Sequence, residues 1–427
     1  MSTLDQSTKQ DHLPDSRQLH VSCRFNQVDA DSRVRATLSL VSTQTRILIP
    51  SREELMSYSL NRRHFLSLAA STALVGSTRW AWGDDTSDEP MLDWHDVQNW
   101  GVEGKGWDNT AKYFDRLPAR AEGVVRDAVW GLSRHSAGML VRFRTDAREI
   151  WADYAVTNDR LAMPHMPATG VSGLDLYAED DDSQWRWLSV VAPKAQSTNT
   201  RIVGGLPSGE RNYTIYLPLY NGTESLKVGV PIGASFTPIS PRTDKPLLFY
   251  GTSITHGACA SRPGMPHPAI LGRRLNKPVI NLGFSGNGMM EESVGQFLVE
   301  LDPAVYIIDC LPNMQADKIA ERTQPLVHQL REARPGTPIL LVEDRTYANT
   351  PFLPSRQQRH DASRAALRSA HDALITEGVK ALYYLPGELL LGSDREDTTD
   401  GSHPNDLGFY RQANAFEPFL REILGNG

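Results

Sequence analysis

From Pro241 onward the chain carries five short, almost unbroken apolar runs, at 245–250, 278–282, 304–308, 338–342 and 380–385. A strand that is apolar at every position must be covered on both faces, because a face open to water would impose alternation. Between the runs lie longer helix-like segments at 316–333 and 354–376, and a last one spans about 406–424. Buried strands alternating with helices describe a parallel sheet between two helical layers. The pattern predicts an α/β domain over 241–427, three-layered and flavodoxin-like, with functional residues on loops beyond the carboxyl ends of its strands.

Upstream the rhythm differs. Segments 139–144, 150–156, 174–177, 185–188 and 213–217 are short, rich in aromatic or β-branched residues, and often alternate, with turn signals such as Ser208-Gly209 and Asn221-Gly222 between them. This predicts a β-sandwich of jelly-roll type over 91–240, joined to the second domain near 237–245. All nine Trp fall between positions 80 and 187. Trp130, Trp151, Trp185 and Trp187 would either fill the sandwich core and the domain interface or offer faces for stacking sugars. Asp180-Asp181-Asp182 reads as a solvated hairpin loop, with a Ca²⁺ site as the alternative.

The first eighty residues read as a leader. Asn61-Arg62-Arg63-His64-Phe65-Leu66 sets twin arginines before an apolar stretch at 65–75, too short to span a bilayer, and Ala81-Trp82-Gly83 supplies small residues for cleavage. The arrangement resembles a twin-arginine export signal. Residues 56–83 are expected to be that signal, 84–90 a linker, and 1–55, which contain Cys23, a disordered or mis-assigned extension. Residues 1–83 hold ten Lys or Arg and seven Asp or Glu, so the formal charge of −7 for all 427 residues becomes −10 for the remainder. That balance argues against a nucleic-acid partner. No apolar run approaches a membrane span, and three cysteines cannot staple a disulfide scaffold.

Polar residues cluster after the apolar runs. The first is followed by Gly251-Thr252-Ser253-Ile254-Thr255-His256-Gly257, the second by Gly283-Phe284-Ser285-Gly286-Asn287-Gly288, and the third by Asp309-Cys310-Leu311-Pro312-Asn313-Met314. Asp400-Gly401-Ser402-His403 precedes the last helix. A serine on a glycine-flanked turn presents its hydroxyl and nearby backbone N–H groups. It becomes a nucleophile once a histidine takes its proton, and the histidine needs a carboxylate to fix its tautomer.

These four blocks, in this order, resemble the SGNH hydrolases, also called GDSL esterases. Gly173-Leu174-Asp175-Leu176-Tyr177 is similar to the Gly-x-Asp-Leu-Tyr motif of a β-rich domain that precedes some of their catalytic domains. The resemblance implies Ser253 as nucleophile, His403 as base and Asp400 as its partner, with the Ser253 N–H, the Gly286 N–H and the Asn313 amide as oxyanion donors. Two departures stand out: Thr252 replaces the Asp of Gly-Asp-Ser, and Leu311-Pro312-Asn313-Met314 replaces Gly-x-Asn-Asp, with Pro312 and Met314 expected to reshape the pocket beside Asn313.

Each residue also has a plainer reading. Ser253 and Asn313 would serve as turn residues and Asp400 as the cap of the last helix, while Gly283 and Gly288 compete with Gly286 for its backbone role. His256 would line the pocket or cap the following loop. Arg262 and Glu343 are candidate substrate contacts, with solvated surface roles as the alternative. Cys259 and Cys310 follow neighbouring strands and are open either to a disulfide or to buried thiols. Walker, zinc-spacing and dinucleotide motifs are missing, so neither cofactor nor metal is expected. The expected partner is a small-molecule or glycan ester, hydrolysed through an acyl-enzyme, with acetyl on a carbohydrate first by family analogy. An acyltransferase or an inactive glycan-binding protein is the alternative. The sequence sets no oligomeric state.

Overall fold

The computed structural model describes residues 90–425; the expected extension, the export signal, Cys23 and nearly all of the linker lie outside the described residues. Nine antiparallel strands come first: β1 (Leu92–Asp96), β2 (Leu140–Thr145), β3 (Glu149–Val156), β4 (Asp175–Glu179), β5 (Trp185–Val190), β6 (Ser197–Gly204), β7 (Arg211–Tyr216), β8 (Thr223–Pro231) and β9 (Phe236–Ile239). They form one sheet in the order β1-β8-β3-β6 and another in the order β5-β4-β7-β2-β9. Burial alternates along β3, so every second residue faces inward. Ile150, Ala152, Tyr154, Leu226 and Val228 from one sheet share a core with Val141, Phe143, Leu176, Tyr213 and Ile215 from the other. The predicted junction at 237–245 is partly strand, because β9 pairs with β2 across the sheet edge.

Residues 97–139 depart from the expected all-strand reading of 91–240. They hold short turns and a helix, α1 (Asp127–Ser133), and no strand of either sheet. The apolar residues of this arm divide between the two domains: Val97, Val102, Phe114 and Met139 join the sandwich core, whereas Trp107, Leu117, Ala121, Val125 and Val129 join the core of the α/β domain. A further short helix, α2 (Ala168–Val171), precedes β4.

The second half is a parallel sheet of β10 (Leu247–Gly251), β11 (Val279–Gly283), β12 (Val305–Asp309), β13 (Ile339–Val342) and β14 (Leu382–Leu385), ordered β11-β10-β12-β13-β14. This is the flavodoxin-like order. Around it run α3 (Ser253–His256), α4 (His267–Arg274), α5 (Glu292–Leu298), α6 (Ala316–Ala333), α7 (Pro354–Thr376) and α8 (Asp406–Ile423). Leu248, Tyr250, Tyr306, Ile308 and Leu341 point into one core beneath α5, α6 and α7. Their neighbours Leu247, Phe249, Val305, Ile307 and Leu340 point into the other, against Ile270, Phe409 and Phe416 of α4 and α8. Two buried faces are the reason these strands carry no polar alternation. The register pairs Gly251 with both Gly283 and Asp309, so the loops leaving β11, β10 and β12 start at one level. Among the described residues no helix is long and apolar enough to cross a membrane.

Candidate active site

Ser253 opens α3 two residues beyond the end of β10, with Thr252 between them. A Cβ at Gly251 would stand 2.1 Å from Thr255 Oγ1 and 2.8 Å from the Asp309 carbonyl, so the chain turns only because that position is glycine. Thr252 caps α3, its hydroxyl accepting the Ile254 N–H at 3.3 Å. Threonine therefore performs at this position a capping role open to an Asp, and the departure leaves the turn intact. Gly257 ends the helix in the left-handed region at φ +110°.

The Ser253 hydroxyl donates to His403 Nε2 at 2.8 Å. On the opposite side of the ring, Nδ1–H donates to Asp400 Oδ2 at 2.7 Å. The carboxylate can only accept there, which fixes the proton on Nδ1 and leaves the Nε2 lone pair for serine. Asp400 Oδ1 also accepts the N–H groups of Ser402 and His403, at 2.9 and 2.8 Å. Partial burial pushes the Asp400 pKa up, but these hydrogen bonds outweigh it and hold the carboxyl below its ordinary value. Asn405, whose side chain accepts the Gly408 N–H, is the cap of α8, so Asp400 is free for His403.

Opposite this chain lie the other two blocks. Gly286 takes φ +69°, and a Cβ there would meet nothing within 4 Å. Its competitors are packed away: a Cβ at Gly283 would stand 2.2 Å from the His256 nitrogen, and one at Gly288 2.0 Å from the Gly251 carbonyl. Among the described residues neither the Ser253 nor the Gly286 N–H has a protein acceptor. The Asn313 amide is assigned with its oxygen accepting the Asn287 and Gly288 N–H groups, at 2.9 and 3.1 Å, the orientation that satisfies both of its ends. Its NH₂ is then turned away from that loop. The structure thus brings Ser253, His403 and Asp400 into one hydrogen-bonded chain and ties Asn313 to the loop that carries Gly286.

Other candidates lie elsewhere. His256, the last residue of α3, is fully buried, donates from Nε2 to the Leu219 carbonyl at 2.7 Å and stacks on Tyr220 with ring centres 4.1 Å apart, so it ties α3 to the segment before β8 instead of lining a pocket. Glu343 is fully buried as well, accepting from Arg368, from Tyr384 and from the Gly387 N–H. Neither the expected substrate contact nor the surface role fits it. Arg262 donates to Asp175 at 2.8 Å and to the Tyr177 hydroxyl. Asp175 also accepts from the Gly264 N–H and the Trp187 indole. In this chain Asp175 and Tyr177 of the Gly-Leu-Asp-Leu-Tyr segment therefore dock the loop after the nucleophile onto the sandwich.

Met314 is a core residue rather than a pocket wall. Cys259 and Cys310 are free, buried thiols, so no disulfide links them. Burial raises the Cys259 pKa and nearby Asp400 raises it further, which leaves a protonated and poorly nucleophilic sulfur. Trp107 and Trp130 pack on the α/β core and Trp100 on the sandwich core, while Trp187 is half exposed. Asp180 accepts from the Gln184 N–H and from Arg186 within its hairpin. Among the described residues no three His, Cys, Asp or Glu side chains are grouped to hold a metal ion.

Three supports escaped the sequence reading. The Tyr220 hydroxyl donates to the Ser253 carbonyl at 3.3 Å. Arg126 donates to the Asn287 side chain at 2.7 Å. Arg359 of α7 donates to the carbonyls of Leu311, Pro312 and Met314, at 3.4, 2.9 and 3.2 Å, and so grips the turn that carries Asn313. Each reaches across the fold, Tyr220 and Arg359 to backbone carbonyls and Arg126 to a side-chain amide, and only Tyr220, beside the Asn221-Gly222 turn, had a local signal.

Comparison with known proteins is consistent with this geometry. Residues 244–421 match the GDSL-like lipase/acylhydrolase family, and residues 92–236 match the N-terminal domain of SGNH-hydrolase-type esterases known as GxDLY. A solved protein from Bacteroides ovatus ATCC 8483 described as a GDSL-like lipase is 32% identical. The match covers 78% of this chain and 98% of that one, with a TM-score of 0.75. The salicylyl-acyltransferase SsfX3 of a tetracycline biosynthetic pathway is 18% identical at a TM-score of 0.62, covering 79% of this chain and 96% of that one. A family two carbohydrate esterase from Cellvibrio japonicus is 12% identical at a TM-score of 0.52, covering 79% and 99%. These last two share the fold. No curated protein sequence matches the chain. The two family matches and the 32% identity over nearly the whole Bacteroides protein show that this chain belongs to the GDSL-like, or SGNH, lipase/acylhydrolase family and is a serine ester hydrolase.

Proposed function

We propose that this protein is an exported esterase that removes acyl groups, acetyl first among them, from carbohydrates through a Ser253–His403–Asp400 triad. The observation that carries the reading is the unbroken chain from the Ser253 hydroxyl through His403 to Asp400. Ser253 Oγ attacks the ester carbonyl while His403 Nε2 takes its proton, and Asp400 steadies the imidazolium. The carbonyl oxygen gains negative charge and is received by the N–H groups of Ser253 and Gly286 and the NH₂ of Asn313, donors each worth roughly 3–4 kcal/mol of barrier. Collapse expels the alcohol, which leaves with the proton from His403. Water then repeats the sequence on the acyl-serine, releasing the acid and restoring the hydroxyl.

Export rests on the twin-arginine pattern at 61–66. A carbohydrate ester suits an exported hydrolase that shares its fold with a carbohydrate esterase. The test is turnover of p-nitrophenyl acetate by wild type and Ser253→Ala, followed by acetylated oligosaccharides with and without free sugar acceptors. Acetate release that Ser253→Ala abolishes supports hydrolysis. Transfer to the acceptor in preference to water would replace it with acyl transfer, and a fully active Ser253→Ala would remove the triad assignment.

A further inference from the structure

The strongest unexplained feature lies beneath the loop that carries Gly286. Arg116, on the arm before β2, is 1% exposed. Adjacent Asp115 is paired elsewhere, with Arg134 at 3.0 Å. Among the described residues the Arg116 guanidinium donates only to carbonyl oxygens. Nε and Nη2 hold the arm itself, through His135 at 2.9 Å and Leu132 at 2.7 Å. Nη1 crosses to the α/β domain and donates to Asn281 at 3.0 Å and Gly283 at 2.8 Å.

Those two acceptors have a particular position. β11 is an edge strand, so the carbonyls on its outer side have no neighbouring strand to pair with. Buried backbone acceptors need a partner, and the arm of the preceding domain supplies it. Gly283 is the last residue of β11, and Phe284–Gly288 leave directly from it. The guanidinium also lies over the Phe284 ring, 5.3 Å from its centre. Phe284 in turn accepts the N–H groups of Asn287 and Gly288, the same two groups that orient Asn313. One buried cation therefore anchors the root of the segment that carries Gly286 and orients Asn313.

We propose that Arg116 is a positioning residue for the oxyanion pocket: it pins the Asn281–Gly283 strand end so that Gly286 and Asn313 stand ready, and its charge, bonded to carbonyls rather than to a carboxylate, favours the anion that forms there. The inference rests on the serine-esterase reading. It also gives the arm between β1 and β2 a catalytic purpose, since the Asn281 side chain ties the strand end to Thr255 and to the Gly283 N–H and Arg116 takes the outward-facing carbonyls. Asp115, which is paired with Arg134, offsets part of the Arg116 charge, and the Tyr220 hydroxyl also favours it. His135 and His256 are driven toward the neutral form by burial first and by Arg116 second, His135 to about 3. Burial lowers Arg116 itself to about 9, which leaves it protonated at neutral pH.

The experiment compares Arg116→Met and Arg116→Lys with wild type. It measures circular dichroism, thermal midpoint, kcat and KM on p-nitrophenyl acetate, and inhibition by a boronic acid that forms a tetrahedral anion on Ser253. Loss of oriented donors should act on the transition state, as removal of one oxyanion donor costs about 10²–10³ in kcat. For folded Arg116→Met the expected result is a kcat reduced about 10- to 100-fold, a KM changed less than about threefold, and boronate affinity falling in step with kcat. Millimolar guanidinium should restore part of the rate. Lysine keeps the charge but cannot span four carbonyls, so Arg116→Lys should fold and lose at least about fivefold in kcat. If Arg116→Met does not fold, the lysine variant decides.

A folded variant with kcat within twofold of wild type overturns the proposal, as does a loss confined to KM or a boronate affinity that does not change. Failure of the underlying reading looks different: wild type itself would not turn over the ester, or Ser253→Ala would.

Discussion

The two halves of the candidate site are built on opposite principles. Asp400 and His403 sit three residues apart on one loop, half and one-third exposed, and satisfy each other through side chain and backbone together. The oxyanion half is assembled from two separate strand ends and braced from distant parts of the fold. Arg116 and Arg126 reach it from the arm before the sandwich, and Arg359 from α7. A proton relay needs one hydrogen bond of defined length on each side of a ring, which a short loop supplies. Donors that must face charge before it develops have to be held rigid, and rigidity comes from packing across elements. Damage to the first half should remove chemistry and spare the fold; damage to the second should cost both.

The largest expected effect tests the first half. His403→Ala should lower kcat by at least about 10³-fold, with a thermal midpoint within about 2 °C of wild type, because the ring is partly exposed and buries little. A drop of many degrees would break the contrast. Asn313→Ala comes next, with kcat reduced about 10²-fold and KM little changed, read by steady-state kinetics. Arg359→Met should cost about tenfold in kcat and also destabilise by about 3 kcal/mol in urea denaturation. It releases the Asn313 turn and strips buried Asp344 of a partner at 2.7 Å. If it lost activity without losing stability, the bracing would be purely local.

A smaller effect concerns pH. His135, His256 and His267 are buried, and burial first of all holds each pKa below the ordinary 6.5. The unfolded chain then binds more protons than the folded one below that value, so their contribution is complete above pH 6.5 and is lost as pH falls toward the folded values. The thermal midpoint should drop by roughly 5 °C or more between pH 7 and pH 5, and His135→Phe should flatten that slope. Burial raises the carboxyls of Asp175 and Asp309, and this pulls the other way nearer pH 4. A midpoint flat from pH 7 to 5 would show that these buried histidines titrate normally. The smallest effect expected is none: with both Cys259 and Cys310 free, dithiothreitol should leave activity and midpoint unchanged.

Legibility followed the same division. The parallel sheet could be read because its strands are buried on both faces and so keep unbroken apolar runs. Helices at Ala316–Ala333 and Pro354–Thr376 lie where their spacing places them. In the sandwich, β6 escaped notice because Ser197–Gly204 lies open along most of its length and carries mainly polar residues. It is a strand because β3 and its edge position make it one. The arm at 97–139 departs from the expected sandwich only in part: Val97, Val102, Phe114 and Met139 stay with that core, whereas Trp107, Leu117, Ala121, Val125 and Val129 answer to a core about 150 positions further along the chain.

The sequence by itself determined the five strands and three long helices of the α/β domain, the glycine turn at Ser253 and the Asp-x-x-His pair, because each depends on residues within a few positions of one another. Only the tertiary structure decided that His256 and Glu343 are buried supports, that Arg262 clasps Asp175, that Cys259 and Cys310 stay apart, and that Arg116 and Arg359 grip the oxyanion loops. Those outcomes turn on side chains meeting partners far away in the chain, and for His256, Arg116 and Arg359 those partners are backbone carbonyls. A carbonyl looks the same at every residue, so nothing in the one-dimensional pattern marks which of them an arginine will find.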